Sequence, residues 1–343
     1  EHVGRYFYHV HETTSTMDLM EALSQPSPIS PPSTTATAQN TTNAPNPPNT
    51  TKAFSTLCGA PTGFLILADK QTAGKGRRGR TWHSPPSQNL YFSVLFRLER
   101  NQFEQLIKLN LGISLATVKA VHELGATGAR IKWPNDIWVP YHQHKDTSKN
   151  KNKDNKQEQA SNDSGASSSS LSPPYGPYRK LSGMLINSGQ MGEQMKANCG
   201  IGINVNEPIQ TASTINEVGD DEEAQLELRR LQASAVSMYD LLGKTLAREQ
   251  VLASVCNHLE DVLSLSLDDL LTEYTKYDLL VGKKVWVHES RIGASDQPSQ
   301  SSSSPPPREA LAVGYSKFGN LRVQFSDGSG TKELLSEEVS IRI

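Results

Sequence analysis

Residues 74 to 84 read GKGRRGRTWHS, and the first seven positions hold three glycines and four cations, Lys75, Arg77, Arg78 and Arg80. Glycines let a backbone approach a ligand closely, and arginine forks match the geometry of phosphate and carboxylate oxygens. The loop satisfies G-x-G-x-x-G and nearly satisfies the P-loop pattern, with Arg80 where lysine belongs. Both nucleotide-binding folds need a helix directly after the loop, because its N-terminal amides bind the phosphates. Pro85 and Pro86 forbid that helix. A solvated basic turn is the plain reading of such a run. Three glycines between the cations, followed by Trp82, fit better a loop that closes over an anion and covers it with an aromatic face.

Four further clusters carry polar chemistry. KWPND (132 to 136) packs a cation, an aromatic, a rigid turn, Asn135 and Asp136 into five residues. KLSG places Lys180 at the start of a strand, with Gly183 three residues on. GIGINVN (200 to 206) is a strand whose glycines expose backbone and whose Asn204 and Asn206 could hydrogen-bond a base. ETTSTMD (12 to 18) is dense in hydroxyls. Singly, each reads as a cap, a turn or a surface charge.

The elements that must position these residues alternate. GFLILADKQ (63 to 71) and LYFSVLFRL (90 to 98) read as buried strands, and residues 102 to 124 carry apolar side chains at helical spacing. ARIKW and DIWVP flank a tight Pro-Asn turn, and KLSGMLINS and ANCGIGINVN read as two more strands. Ser237 and Asp240 form a capping-box pattern that predicts a helix running to about residue 264. From Val281 the chain returns to short strands, predicting a small β-barrel-like module. Residues 24 to 51, 141 to 178 and 292 to 307 are polar and Pro-, Ser- or Asn-rich, and are expected to be disordered insertions.

Bulk composition narrows the class. A formal net charge of −2 over 343 residues argues against nucleic acid or an anionic membrane as the main partner. Cys58, Cys199 and Cys256 lie far apart without metal spacing, as expected of reduced thiols in an intracellular, cytoplasmic protein. No apolar run is long enough to span a bilayer. The chain opens on Glu1 rather than Met, which suggests a fragment and leaves any upstream targeting segment out of view.

Taken in order, the five motifs resemble the biotin–protein ligases (holocarboxylase synthetases). The resemblance covers the ordered parts from about residue 5 to the C-terminus. It departs from the family at Lys75, where arginine is common, and at the three insertions. It implies an α+β fold, a mixed sheet packed with helices in a class II synthetase-like core (1 to 275), and an SH3-like β-barrel (276 to 343). It implies an enzyme that joins biotin to ATP as biotinyl-5'-AMP and passes the biotin to a lysine on a carboxyl carrier domain of a carboxylase. ATP and biotin are then substrates, with Mg²⁺ on the phosphates and no protein metal cage. Catalysis falls to Lys180, Arg77 and Asp136. Biotin falls to Ser15, Thr16, Gln71, Gly74, Lys75, Gly76, Arg77, Lys180 and Gly183. The nucleotide falls to Arg77, Arg80, Trp82, Asn135, Lys180 and Asn204. Nothing before Glu12 could hold the DNA-binding domain of repressor members, so DNA is not an expected partner. The competing readings are a lipoate–protein ligase of the same fold and a non-catalytic biotin-binding relative. The arginine density favours biotin over the first, and the presence of both Lys180 and Arg77 argues against the second.

Overall fold

The computed structural model describes residues 3–24, 60–86, 88–99, 102–141, 177–191, 193–209, 222–288, 306–335 and 338–340. The three expected insertions and Cys58 fall almost wholly outside the described residues. The first seven strands are β1 (Phe7–Thr13), β2 (Leu65–Gln71), β3 (Leu90–Glu99), β4 (Arg130–Lys132), β5 (Asp136–Pro140), β6 (Tyr178–Met191) and β7 (Gln194–Ile203). They form one mixed sheet in the order β1-β2-β3-β7-β6-β5-β4. β1 and β2 are parallel, and every other pairing is antiparallel.

Residues on β3 alternate between the two faces and are buried on both, which is why its sequence reads as a continuous apolar run. On one face Leu90, Phe92, Val94 and Phe96 pack with α2 (Phe103–Glu123), and this core continues to helix 248–264. On the other face Leu95 joins Ile66 of β2 and Leu19, Met20 and Leu23 of α1 (Thr16–Ser24). Alpha-helices thus cover one face broadly and the other only in part, and the uncovered remainder of the second face carries the cavity.

The remaining helices are α3 (Glu222–Ser234), α4 (Met238–Leu242), α5 (Arg248–Ser264) and α6 (Leu267–Lys276). The capping box is present, with Ser237 and Asp240 each accepting from the other's backbone N–H. The helix it starts does not reach residue 264. It stops at Leu242 because Gly243 adopts φ +66° and donates back to Tyr239 O, and the chain re-enters a helix only at Arg248. Helices α3 and α6 and strand β1 were not foreseen from the sequence.

The expected small β module is a five-stranded antiparallel sheet. It comprises β8 (Lys284–His288), β9 (Arg308–Tyr315), β10 (Leu321–Phe325), β11 (Thr331–Leu334) and β12 (Glu338–Ser340), ordered β11-β10-β9-β8-β12. Its core of Val285, Val287, Leu321, Val323 and Leu334 also takes in Trp133 and Trp138. Both tryptophans come from the large sheet, at the KWPND turn and the strand that follows it.

Candidate active site

A cavity of about 600 Å³ opens on the α1 side of the large sheet, between the basic loop, the KWPND turn, β6, β7 and α3. Ser15, Thr16, Gln71, Lys75, Gly76, Arg77, Arg80, Trp82, Asn135, Asp136, Lys180, Gly183 and Asn204 all line it. These are the site residues singled out from the sequence, apart from Gly74 and Asn206. Five segments far apart in the chain therefore converge on one wall.

The floor is backbone. Gly183 of β6 and Gly202 of β7 are cross-strand partners. A Cβ on Gly202 would stand 2.5 Å from the indole of Trp82, and one on Gly183 would stand 2.9 Å from it. Trp82 therefore lies against a sheet that only glycine makes flat enough. Its indole N–H is buried without a partner among the described residues, at a cost of about 1–3 kcal/mol. A Cβ on Gly200 would meet Met17 Sδ at 2.5 Å, so the second glycine of this strand admits α1 in the same way.

Lys180 stands at the centre. Its ammonium lies 2.7 Å from Asp136 Oδ1 and 5.1 Å from the centroid of the Trp82 ring. The β5–β6 register sets Asp136 opposite Gly183, three residues along β6 from Lys180, with a register shift between Ile137 and Trp138. Burial raises the Asp136 pKa. The charges of Lys180 and then Lys132, with hydrogen bonds from Lys180 and Trp138, more than offset this and hold the carboxyl below its usual range. Asp136 is thus an anion with a cation already beside it.

The basic loop is a small hairpin closed by a bridge between Lys75 and Thr81 and by Gly76 N–H donating to Arg80 O. Arg77–Gly79 form one 3₁₀ turn, in which Arg78 takes φ +57° and Gly79 φ +70°. No helix follows it, as the two prolines require. Arg77 Nη1 donates to Asn135 Oδ1 at 3.2 Å, tying loop to turn. Asn135 in turn donates from its amide to Met184 O. Lys75 pairs with Asp18 of α1.

At the other end Thr16 donates from both its backbone N–H and its hydroxyl to Gln71 Oε1, at 2.9 and 3.3 Å. Ser93 Oγ donates to Thr16 Oγ1 at 2.9 Å, and Gln71 Nε2 donates to Ser84 Oγ at 3.0 Å. Ser15 is fully buried, and its Oγ accepts from Met17 N–H.

Three expectations need correction. Gly74 is not on the cavity wall: a Cβ there would stand 2.5 Å from Trp82 O and 2.7 Å from Ser84 Oγ, so this glycine lets the two legs of the loop cross. Asn204 lines the cavity, but its side-chain amide N–H groups donate to Val236 O and Lys180 O rather than into it. Asn206 does not line the cavity; its side chain brackets Leu246 with one bond to the carbonyl and one from the N–H. Sequence reasoning also missed Met17, Lys132, Glu207 and Arg230, which line the same cavity. Lys132 was within reach, since it opens KWPND. Arg230 sits on α3, whose polar sequence announces nothing. Among the described residues no group of three or more His, Cys, Asp or Glu side chains is arranged to hold a metal ion.

The model of the Biotin/lipoate A/B protein ligase family matches residues 38–204. The Escherichia coli bifunctional ligase/repressor BirA is 42% identical over 78 residues, 23% of this chain and 24% of that protein. The Schizosaccharomyces pombe biotin–protein ligase is 27% identical over 251 residues, 70% of this chain and 32% of that one. The matches thus span between a quarter and a third of the lengths of these relatives. The biotin protein ligase of Aquifex aeolicus, solved with biotin and ATP, superposes with a TM-score of 0.56 at 22% identity over 98% of this chain and 99% of its own. In fold and in these matched segments, the chain is similar to biotin–protein ligases.

Proposed function

We propose that this protein activates biotin with ATP as biotinyl-5'-AMP and transfers the biotin to a lysine of a carboxyl carrier domain of a carboxylase. The observation that carries the reading is the Lys180–Asp136 pair at the meeting point of five motifs. The first step brings two anions together, the biotin carboxylate and the α-phosphate. Lys180 and Arg77, with Arg80 and Lys75 in support, would neutralise them in a cavity of the size that holds small-molecule ligands, roughly 300–1,000 Å³. Ser15, Thr16 and Gln71 would meet the polar ureido group of biotin, while Gly183 makes room for the side chains of Lys180 and Trp82 and Gly76 lies on the cavity wall. Trp82 would serve adenine, and Asn135 would hold Arg77 on the phosphates. The unpaired Trp82 N–H supports a ligand-dependent partner for that ring. Mg²⁺ would arrive with the triphosphate, whose oxygens are its preferred ligands.

The acceptor lysine must attack as a neutral amine. The charges of Lys180 and Lys132 hold the Asp136 carboxyl below its usual range, so it is an anion. Asp136 would orient the amine and stabilise its positive charge as the bond forms. We further propose that the chain divides near residue 276 into a catalytic part and a C-terminal module.

The test is one incubation of the protein with ATP, Mg²⁺ and either biotin or lipoate, with pyrophosphate measured. Release with biotin alone supports the proposal. Release with lipoate alone would assign the protein to the other branch of the matched family, and release with neither would leave a binding protein. No helix among the described residues is long and apolar enough to cross a membrane.

A further inference from the structure

Gln71 has one orientation. Its amide oxygen must face the Thr16 backbone N–H, because a flipped amide would set an NH₂ group against a donor. Its Nε2 therefore faces Ser84, whose hydroxyl accepts from Gln71 at 3.0 Å and donates to Trp82 O at 3.1 Å. Ser84 is 7% exposed, so water cannot readily replace it in either bond. The Trp82 backbone N–H returns to Gly74 O at 2.9 Å, and Gly74 has no side chain to hold these two legs apart. One hydroxyl thus joins the end of β2, where Gln71 sits, to the root of the basic loop.

We infer that Ser84 is a positioning residue for biotin: it fixes the Gln71 carboxamide against the ureido slot and ties that slot to the loop that carries Arg77 and Trp82. The inference rests on the proposed function, since it needs a ureido group for Gln71 to meet. Ser84 acts through Gln71 and touches none of the reacting atoms. Without its oxygen, Nε2 loses its acceptor and the carboxamide is held only from the Thr16 side.

The experiment measures biotin-dependent pyrophosphate release with hydroxylamine as the trapping amine, for the parent, Ser84→Ala and Ser84→Thr. Ser84→Ala should raise the KM for biotin about five- to ten-fold, the effect expected of one neutral hydrogen bond. It should leave kcat and the KM for ATP within about two-fold. Ser84→Thr, which restores the oxygen, should return the biotin KM to within about two-fold of the parent. If Ser84→Ala does not fold, Ser84→Cys keeps the volume with a weak acceptor and carries the same expectation. An unchanged biotin KM, or a threonine variant no better than alanine, overturns the inference while the parent's activity upholds the proposed function. A parent that releases no pyrophosphate with biotin overturns both.

Discussion

The basic loop and the KWPND turn both present cations to one cavity, yet they are held in opposite ways. The turn is anchored from behind. Trp133 is 3% exposed and donates from its indole to Gly319 O in the small sheet at 3.0 Å, and Trp138 shares that core. Asn135 exchanges backbone and side-chain hydrogen bonds with Met184 of β6. The loop is held at its root, where Ser84 joins it to Gln71, and its tip is closed by its own backbone, with Lys75 in a half-exposed ion pair and Arg77 on Asn135 at 3.2 Å. One side of the site is therefore set by packing into a core, and the other by polar contacts.

Substitutions at four positions can break or sharpen this contrast. Trp133→Ala attacks the anchored side and should have the largest effect on folding. It leaves a cavity between the two sheets and should cost about 3–5 kcal/mol, read as a lower denaturant midpoint. A loss under about 1 kcal/mol would mean the turn holds itself. Lys180→Ala should lower adenylate formation about a hundred-fold or more while the melting temperature of the ligand-free protein moves little, because its ion pair is partly exposed. Lys180→Arg should not restore the rate, since a planar fork replaces a compact charge. Parental rates in Lys180→Ala would remove Lys180 from the chemistry.

Arg77→Gly attacks the side set by polar contacts. It should still make adenylate but release it about thirty- to a hundred-fold faster, the loss of roughly 2–3 kcal/mol of retention. Biotin should then appear on lysines of an unrelated protein such as albumin in the same tube. A variant that labels no bystander would return the loop to the status of a basic turn. Lys75→Ala should do least, with activity within about five-fold and no measurable change in melting temperature, as for other exposed pairs. A larger loss would show that the Lys75–Asp18 contact helps to seat the loop on α1.

The sequence made the contiguous motifs readable because their chemistry is local. A lysine, a turn and a carboxylate in five residues announce themselves wherever the strands later place them. Strands β2 and β3 were readable as runs of buried apolar residues, and helix α2 because burial of one face imposes a helical period. What escaped depends on long-range pairing. Ser84 and Ser93 are ordinary hydroxyls until Gln71 and Thr16 fold against them. Trp133 belongs to a site motif by sequence and to the core of the small sheet by packing, and no pattern reveals that double membership. Strand β1 escaped because it lies at the end of the sheet, with Phe7, His9 and His11 exposed, and so lacks a buried strand's composition. Helix α3 escaped because it is largely polar.

The paired glycines under Trp82 bear on how this protein should be mutated. An alanine scan reports what each side chain contributes by removing it, so it scores glycine as a position with nothing to lose. Gly183 and Gly202 invert that logic, for there alanine is the addition. At Gly202 the new methyl would meet the indole within 2.6 Å at two atoms. It would drive Trp82 off the floor before any ligand arrived. Libraries meant to widen the range of acids this site accepts would do well to hold these two positions fixed and vary Met17, which approaches the strand from the α1 side and has a flexible end to give.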